Sequence, residues 1–330
     1  MNNLKKVGLT ALAGSLVAFS ANAVEMTVSG TAEVTYTTNS GNAAAATGDA
    51  WGSNNSIKFS GSGDVGFGTA TIVRTMNDDS SGNWLSAWQT VDMGDMGTIS
   101  FDSVGGGLEG VTAYDDKLPT AYEEVWNGVS SSGLSGAASN DTIGYANSFG
   151  PVGISLARST KGTTGGTGDG GNGGAATGTI KDIVVTFDVP MVDGLSGYVG
   201  QSTTDYTAAA SNDDTSTTAA LLYSAGAVSV GYQHAELQSG TANTAGKNTE
   251  RYSVAFNLND EISVSLAAQD MTYDNTGASA TDVTEEVTAL NAAYTSGAAS
   301  VRTTFSEADN DGGTTGSKEE HMEISLVLSF

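Results

Sequence analysis

Residues 321–330 read HMEISLVLSF, and the order of side chains in that stretch decides how the whole chain folds. Met322, Ile324, Leu326, Leu328 and Phe330 recur at every second position. His321, Glu323, Ser325 and Ser329 fall between them, and Val327 is the one exception. Successive side chains of a strand point to opposite faces, so the segment has an apolar side and a polar side. A soluble antiparallel sheet shows the same alternation. The rest of the chain has to separate the two readings.

The other end carries Lys5 and Lys6 with no acid before residue 7, then a largely apolar run over residues 7–20, then Ala21-Asn22-Ala23. A basic start, a short apolar segment and a small-x-small site predict a secretory signal peptide over residues 1–23. The apolar run is too short for a spanning helix, which needs roughly 20 residues. Its removal leaves one domain, residues 24–330, with ten bases against 37 acids and a net charge of −27. Such a surface repels nucleic acid. Cysteine is absent, so neither disulfides nor thiolate metal sites are available to this exported chain.

No later stretch approaches the length of a membrane helix, but a membrane strand needs only about 9–11 residues that alternate. Residues 26–38, 56–61, 68–75, 84–92 and 97–101 read as strands, as does a hairpin over 141–160. Eight more runs follow between residues 180 and 307, and residues 321–330 close the series. Residues 39–54 read as a polar loop. The connections alternate between tight Gly/Asp/Pro turns and longer acidic loops, and all three prolines (Pro119, Pro151, Pro190) fall between strands. The count of sixteen is even, as a closed barrel without a lipid-exposed edge requires. The predicted fold is all-β: a transmembrane antiparallel β-barrel of about 16 strands.

Two runs, NSIKFSGSGDVGFGTATIVRT and WLSAWQTVDMGDMGTISF, resemble the first hairpins of Gram-negative trimeric porins, the general diffusion channels of the outer membrane. DTIGYANSFGPVGISLARST resembles the hairpin that follows the long loop in that family, and the terminal Phe330 resembles its insertion signal. The resemblance implies outer-membrane localisation, contact with lipid, a homotrimer and passive passage of small hydrophilic solutes. It also implies that the long connection, residues 102–140, folds into the pore and narrows it. Gly30, Ala32 and Ala70 are small residues on outward faces where protomers would then meet.

On this reading the constriction loop offers Asp102, Glu109, Asp115, Asp116, Glu123 and Glu124 with Lys117 as its only base. By alternation with Ser and Thr, the wall adds Glu33, Lys58, Arg251, Glu261, Arg302 and Glu323, while Arg74 has no clear side. Acids in excess predict a cation-preferring channel. Alternation also predicts that arginine is tolerated at Ser325 and costly at Leu326.

Other motifs point elsewhere only weakly. GTGDGG at residues 166–171 matches a dinucleotide fingerprint without the strand and helix it requires. His234 and His321 are the only histidines, and no Gly-x-Ser-x-Gly elbow accompanies them, so no enzyme and no cofactor are expected. Asp78–Asp79, Asn212–Asp213–Asp214 and Asp309–Asn310–Asp311 are candidates for weak external Ca²⁺ binding without EF-hand spacing. The competing functional readings are a solute-selective channel and a structural or adhesive barrel with a plugged lumen. Conductance in a planar bilayer separates an open channel from a plug.

Overall fold

The computed structural model describes residues 25–41, 48–77, 84–105, 107–130, 133–134, 136–137, 141–161, 178–207, 213–240, 245–275 and 281–330. The signal-peptide reading, residues 166–171, Asp78, Asp79 and Asn212 lie outside them. Strands run through Glu25–Gly41 (β1), Gly48–Ser53 (β2), Ser56–Asp64 (β3), Thr69–Asn77 (β4), Ser86–Asp92 (β5), Thr98–Val104 (β6), Thr142–Phe149 (β7) and Val152–Lys161 (β8). They continue through Gly178–Asp188 (β9), Leu195–Tyr206 (β10), Asp214–Ala225 (β11), Val228–Gln238 (β12) and Gly246–Asn257 (β13). Ile262–Asp274 (β14), Val283–Ser296 (β15), Ala299–Asp309 (β16) and Lys318–Ser329 (β17) complete the sheet. Every pairing is antiparallel, and β17 returns to β1 with Val34 opposite Leu326, so the sheet closes into a barrel.

The sheet has seventeen segments but sixteen staves. β2 and β3 both pair with β1 on the same side and are separated only by Asn54 and Asn55. At that break the backbone N–H of Glu33 donates to Asn55 Oδ1 at 3.0 Å, and Asn54 N–H donates to the Glu33 carbonyl at 3.2 Å. The strand over residues 48–53 corrects the polar loop expected there. Several other strands outrun their apolar pattern at the external end, as with Asp214–Ser216 on β11 and Gly246–Asn248 on β13. Above the membrane a ladder needs only backbone pairing, so no alternation marks those residues.

Tight turns join strands at the opposite end. Gly226–Ala227 links β11 to β12 with positive φ at the glycine alone, the two-residue type II′ geometry that keeps hairpin twist. On the outside, register aligns an apolar row across six strands: Val230, Val254, Leu266, Leu290, Phe305 and Met322. Tyr232 and Tyr252 stand beside that row with their hydroxyls donating to Glu250 at 3.3 and 2.8 Å, an amphipathic placement suited to the membrane boundary.

Alternation therefore orients β17 as read, with Leu326 outward and exposed and Ser325 inward. An arginine at Leu326 should cost about 2–4 kcal/mol at the bilayer midplane. Ser325 is no neutral control, however, because it is fully buried and donates to Glu33. Thr71→Arg on the inward face of β4 replaces it. Folding titrations in lipid vesicles should show a loss for Leu326→Arg and little for Thr71→Arg. Equal losses would refute the face assignment.

Candidate functional site

Between β6 and β7 the chain turns into the lumen and docks along the inner wall from β8 to β17. Its first anchor is electrostatic. Gly110 N–H donates to Ser155 Oγ at 3.0 Å, and that hydroxyl donates to Glu109 at 2.7 Å. One carboxylate oxygen of Asp182 on β9 then accepts both Val111 N–H and Ala137 N–H at 2.8 Å, clamping the two ends of the loop with one side chain. Val111 is buried against Val184, Tyr198 and Ala220. An inward Val184 interrupts polar alternation because the loop covers it.

The second anchor is Arg251 on β13, which is 1% exposed. Its direct register partners are Gln233 on β12 and Gln269 on β14. Their side-chain oxygens accept from its Nη1 at 2.9 Å and Nε at 2.6 Å. Asp115 of the loop lies 3.7 Å from the guanidinium and also accepts Leu134 N–H at 2.6 Å. Trp126 lies over the guanidinium, its ring centroid 4.2 Å from Cζ.

The third anchor reaches β14 to β17. Ala121 N–H donates to Ser265 Oγ at 2.8 Å, and Asn291 Nδ2 donates to the Glu123 carbonyl at 3.0 Å. Tyr122 donates its hydroxyl to Glu323 and covers Arg302, which pairs with Glu33 at 3.0 Å. Ser130 N–H donates to Asp311 at 2.8 Å. Val125 buries against Ala267, Val287, Ala289 and Ala308. The wall beneath is built small: Gly231, Ser253, Ala267, Ala289 and Ser306 are aligned by register on five strands. Gly128, at φ 77°, lies flat on the His321 ring, where a Cβ would stand 2.0 Å from an imidazole carbon. The His321 ring places Nδ1 2.6 Å from Asn39 Oδ1, a packing arrangement.

Among the expected site residues, Glu109, Asp115, Glu123, Glu33, Arg251, Arg302 and Glu323 meet at these anchors, and Glu124 stands close enough to Asp115 and Glu123 to raise their carboxyl pKa. Asp102 belongs to β6 and is buried, so the loop begins later than the sequence suggested. Asp116 and Lys117 pair with each other at 3.1 Å and are exposed. Lys58 is exposed on the inward face of β3. Glu261 is a correction. It lies in the turn before β14, where Asn259 Oδ1 accepts its N–H and that of Ile262 at 2.8 Å. Glu261 keeps the phase of the alternation, but the strand begins one residue later, at Ile262. Arg74 points outward, since its register partner is the outward Phe59. Asp182, Gln233, Gln269, Ser265 and Asn291 escaped the sequence reading, because only register and the loop's path bring them together.

Burial raises the carboxyl pKa of Glu109, with Ser155 opposing, and that of Asp115, with the Leu134 N–H and Arg251 opposing. Glu123 is pushed up to about 7, first by burial and then by Glu124 and Glu323. Among the described residues no group of three or more His, Asp or Glu converges as a metal site. Asp309 instead pairs with Lys318, and Asp311 holds the loop.

No curated protein sequence matches this chain. Solved structures share its fold at low identity. OmpF of Salmonella typhi in complex with daunomycin is 11% identical, with TM-score 0.68 over 92% of this chain and 97% of that one. An anion-selective porin from Comamonas acidovorans is 16% identical, with TM-score 0.65 over 93% and 100%. The trimer form of OmpT, an outer-membrane protein of Vibrio cholerae, is 12% identical, with TM-score 0.64 over 93% and 100%. A sequence profile described as Gram-negative porin matches residues 8–330, nearly the whole length. With a closed barrel and a loop crossing its lumen, the chain belongs to the Gram-negative porin family.

Proposed function

We propose that this outer-membrane diffusion channel works as a homotrimer and passes cations and small hydrophilic solutes in preference to anions. The trimer form of the similar OmpT supports the assembly. One observation supports the selectivity: the loop's own base and both wall arginines are paired with acids, and the charges left over are acidic in excess. Arg251 pairs with Asp115, Arg302 with Glu33, and Lys117 with Asp116. Among the described residues, Glu123, Glu124 and Glu323 then stand against Lys58 and Lys247, the latter on the inward face of β13 with its amine over the Tyr273 ring. This differs from a bare count, in which Glu109 and Asp115 weighed as much as Glu123.

Charges lining a confined wall set the local ion concentrations, and salt screens them, with a Debye length of about 30 Å at 0.01 M and about 10 Å at 0.1 M. Reversal potentials in planar bilayers should therefore show cation preference, strongest at low salt. Glu123→Gln with Glu124→Gln should reduce it, and Asp213→Asn at the external end of β11 should leave it unchanged. The preference should also rise with pH. A carboxyl titrating near 7 is mostly protonated at pH 6 and mostly ionised at pH 8. Anion preference in the wild-type channel, or a flat pH profile, would sink this reading.

A further inference from the structure

We infer that Trp126, an uncharged residue, is a specificity determinant of the pore: its ring screens Arg251 from ions in the lumen. Among the described residues, Arg251 is the most enclosed base of the wall, at 1% exposure. Gln233 and Gln269 grip its edges from neighbouring strands, Asp115 balances it, and Trp126 closes the side that faces the loop. The indole face is electron-rich, so it attracts the guanidinium on one side and repels anions on the other.

Distance makes the ring matter. The guanidinium carbon stands 4.2 Å from the ring centroid. An anion on the far face is held off by a further contact distance of about 3.5–4 Å. The ring thus roughly doubles the closest approach, and Coulomb attraction falls inversely with distance. Tyr122 covers Arg302 in the same way at 4.4 Å, but its hydroxyl also engages Glu323, so removing it would change two charges at once. Trp126 changes one. A porin of similar fold is anion-selective, so the fold by itself does not fix the sign of selectivity.

The inference deepens the proposed cation preference, but its test reads a difference and does not depend on the sign of the wild-type value. Trp126→Ala should lower the cation-to-anion permeability ratio by at least about twofold at low salt, where screening is weak. In an Arg251→Gln background the same replacement should have no effect on the ratio, because the charge it uncovers is gone. Trp126→Phe keeps a ring over the guanidinium and should behave as wild type. If Trp126→Ala fails to assemble, Trp126→Val keeps an apolar side chain against the cluster around Val125 and gives the same reading. An unchanged ratio in the ring-less variants overturns the inference. So does an equal fall in the Arg251→Gln background, which would mean a displaced loop. Anion preference in wild type together with the Arg251-dependent fall would refute the proposed selectivity and leave the screening role standing.

Discussion

Asp182→Ala is expected to free the lumen loop at both ends and raise single-channel conductance, with larger current fluctuations. One buried carboxylate oxygen takes two backbone N–H groups, from Val111 and Ala137, that are 26 residues apart in sequence. Hydrogen bonds to a charged group contribute about 1.5–3 kcal/mol each, so removing both leaves two buried donors unsatisfied at a cost of about 3–6 kcal/mol. That is a large share of a domain's net stability. The barrel should survive, because its ladder does not involve this side chain, but the loop should become open to proteolysis. Asp182→Asn keeps an acceptor and loses the charge, so it should fall between wild type and Asp182→Ala. Unchanged conductance and an intact loop under protease would show that the other two anchors suffice without Asp182.

Phe330→Asp should abolish insertion into the outer membrane of cells while leaving in-vitro folding nearly intact. The backbone of Phe330 closes the barrel through two hydrogen bonds with Gly30, at 2.9 and 3.0 Å, and neither uses the side chain. The residue is 72% exposed, so its ring adds little to the packed barrel. An acidic residue near the membrane interface costs about 0–1 kcal/mol or less, too little to unfold the protein. A total loss in cells would therefore act on recognition by the insertion machinery, the role implied by resemblance at the outset. Matched measurements of outer-membrane content and of refolding into vesicles separate the two effects. Normal insertion of Phe330→Asp would refute that role, and a refolding defect as large as the cellular one would mean that the ring holds the barrel itself.

Sequence by itself determined the barrel. A period of two is enforced wherever one face meets lipid and the other water, so residues such as Ile324, Ser325 and Leu326 announce their sides without any tertiary knowledge. The turns were equally legible, since Gly150–Pro151 carries its own backbone chemistry. The same rule failed where neither constraint applies. β2 reads GDAWGS, with Trp51 as its one large apolar side chain, so no alternation marks it as a strand. Glu261 sits in a turn that continues the phase of its strand by accident. Val184 and Val287 are apolar on the inner face because a loop covers them.

Only the tertiary structure decided which charges meet the lumen. Arg251 and Lys58 looked alike in sequence, each a base alternating with Ser or Thr. One is sealed between two glutamines and a tryptophan, and the other stands exposed. Alternation reports the side of the sheet and nothing about what crosses to meet it. The contacts between Asp115 and Arg251, Tyr122 and Glu323, and Asp182 and both ends of the loop join residues 45 to 201 positions apart. Register and the loop's path bring them together, and neither leaves a local pattern in the chain.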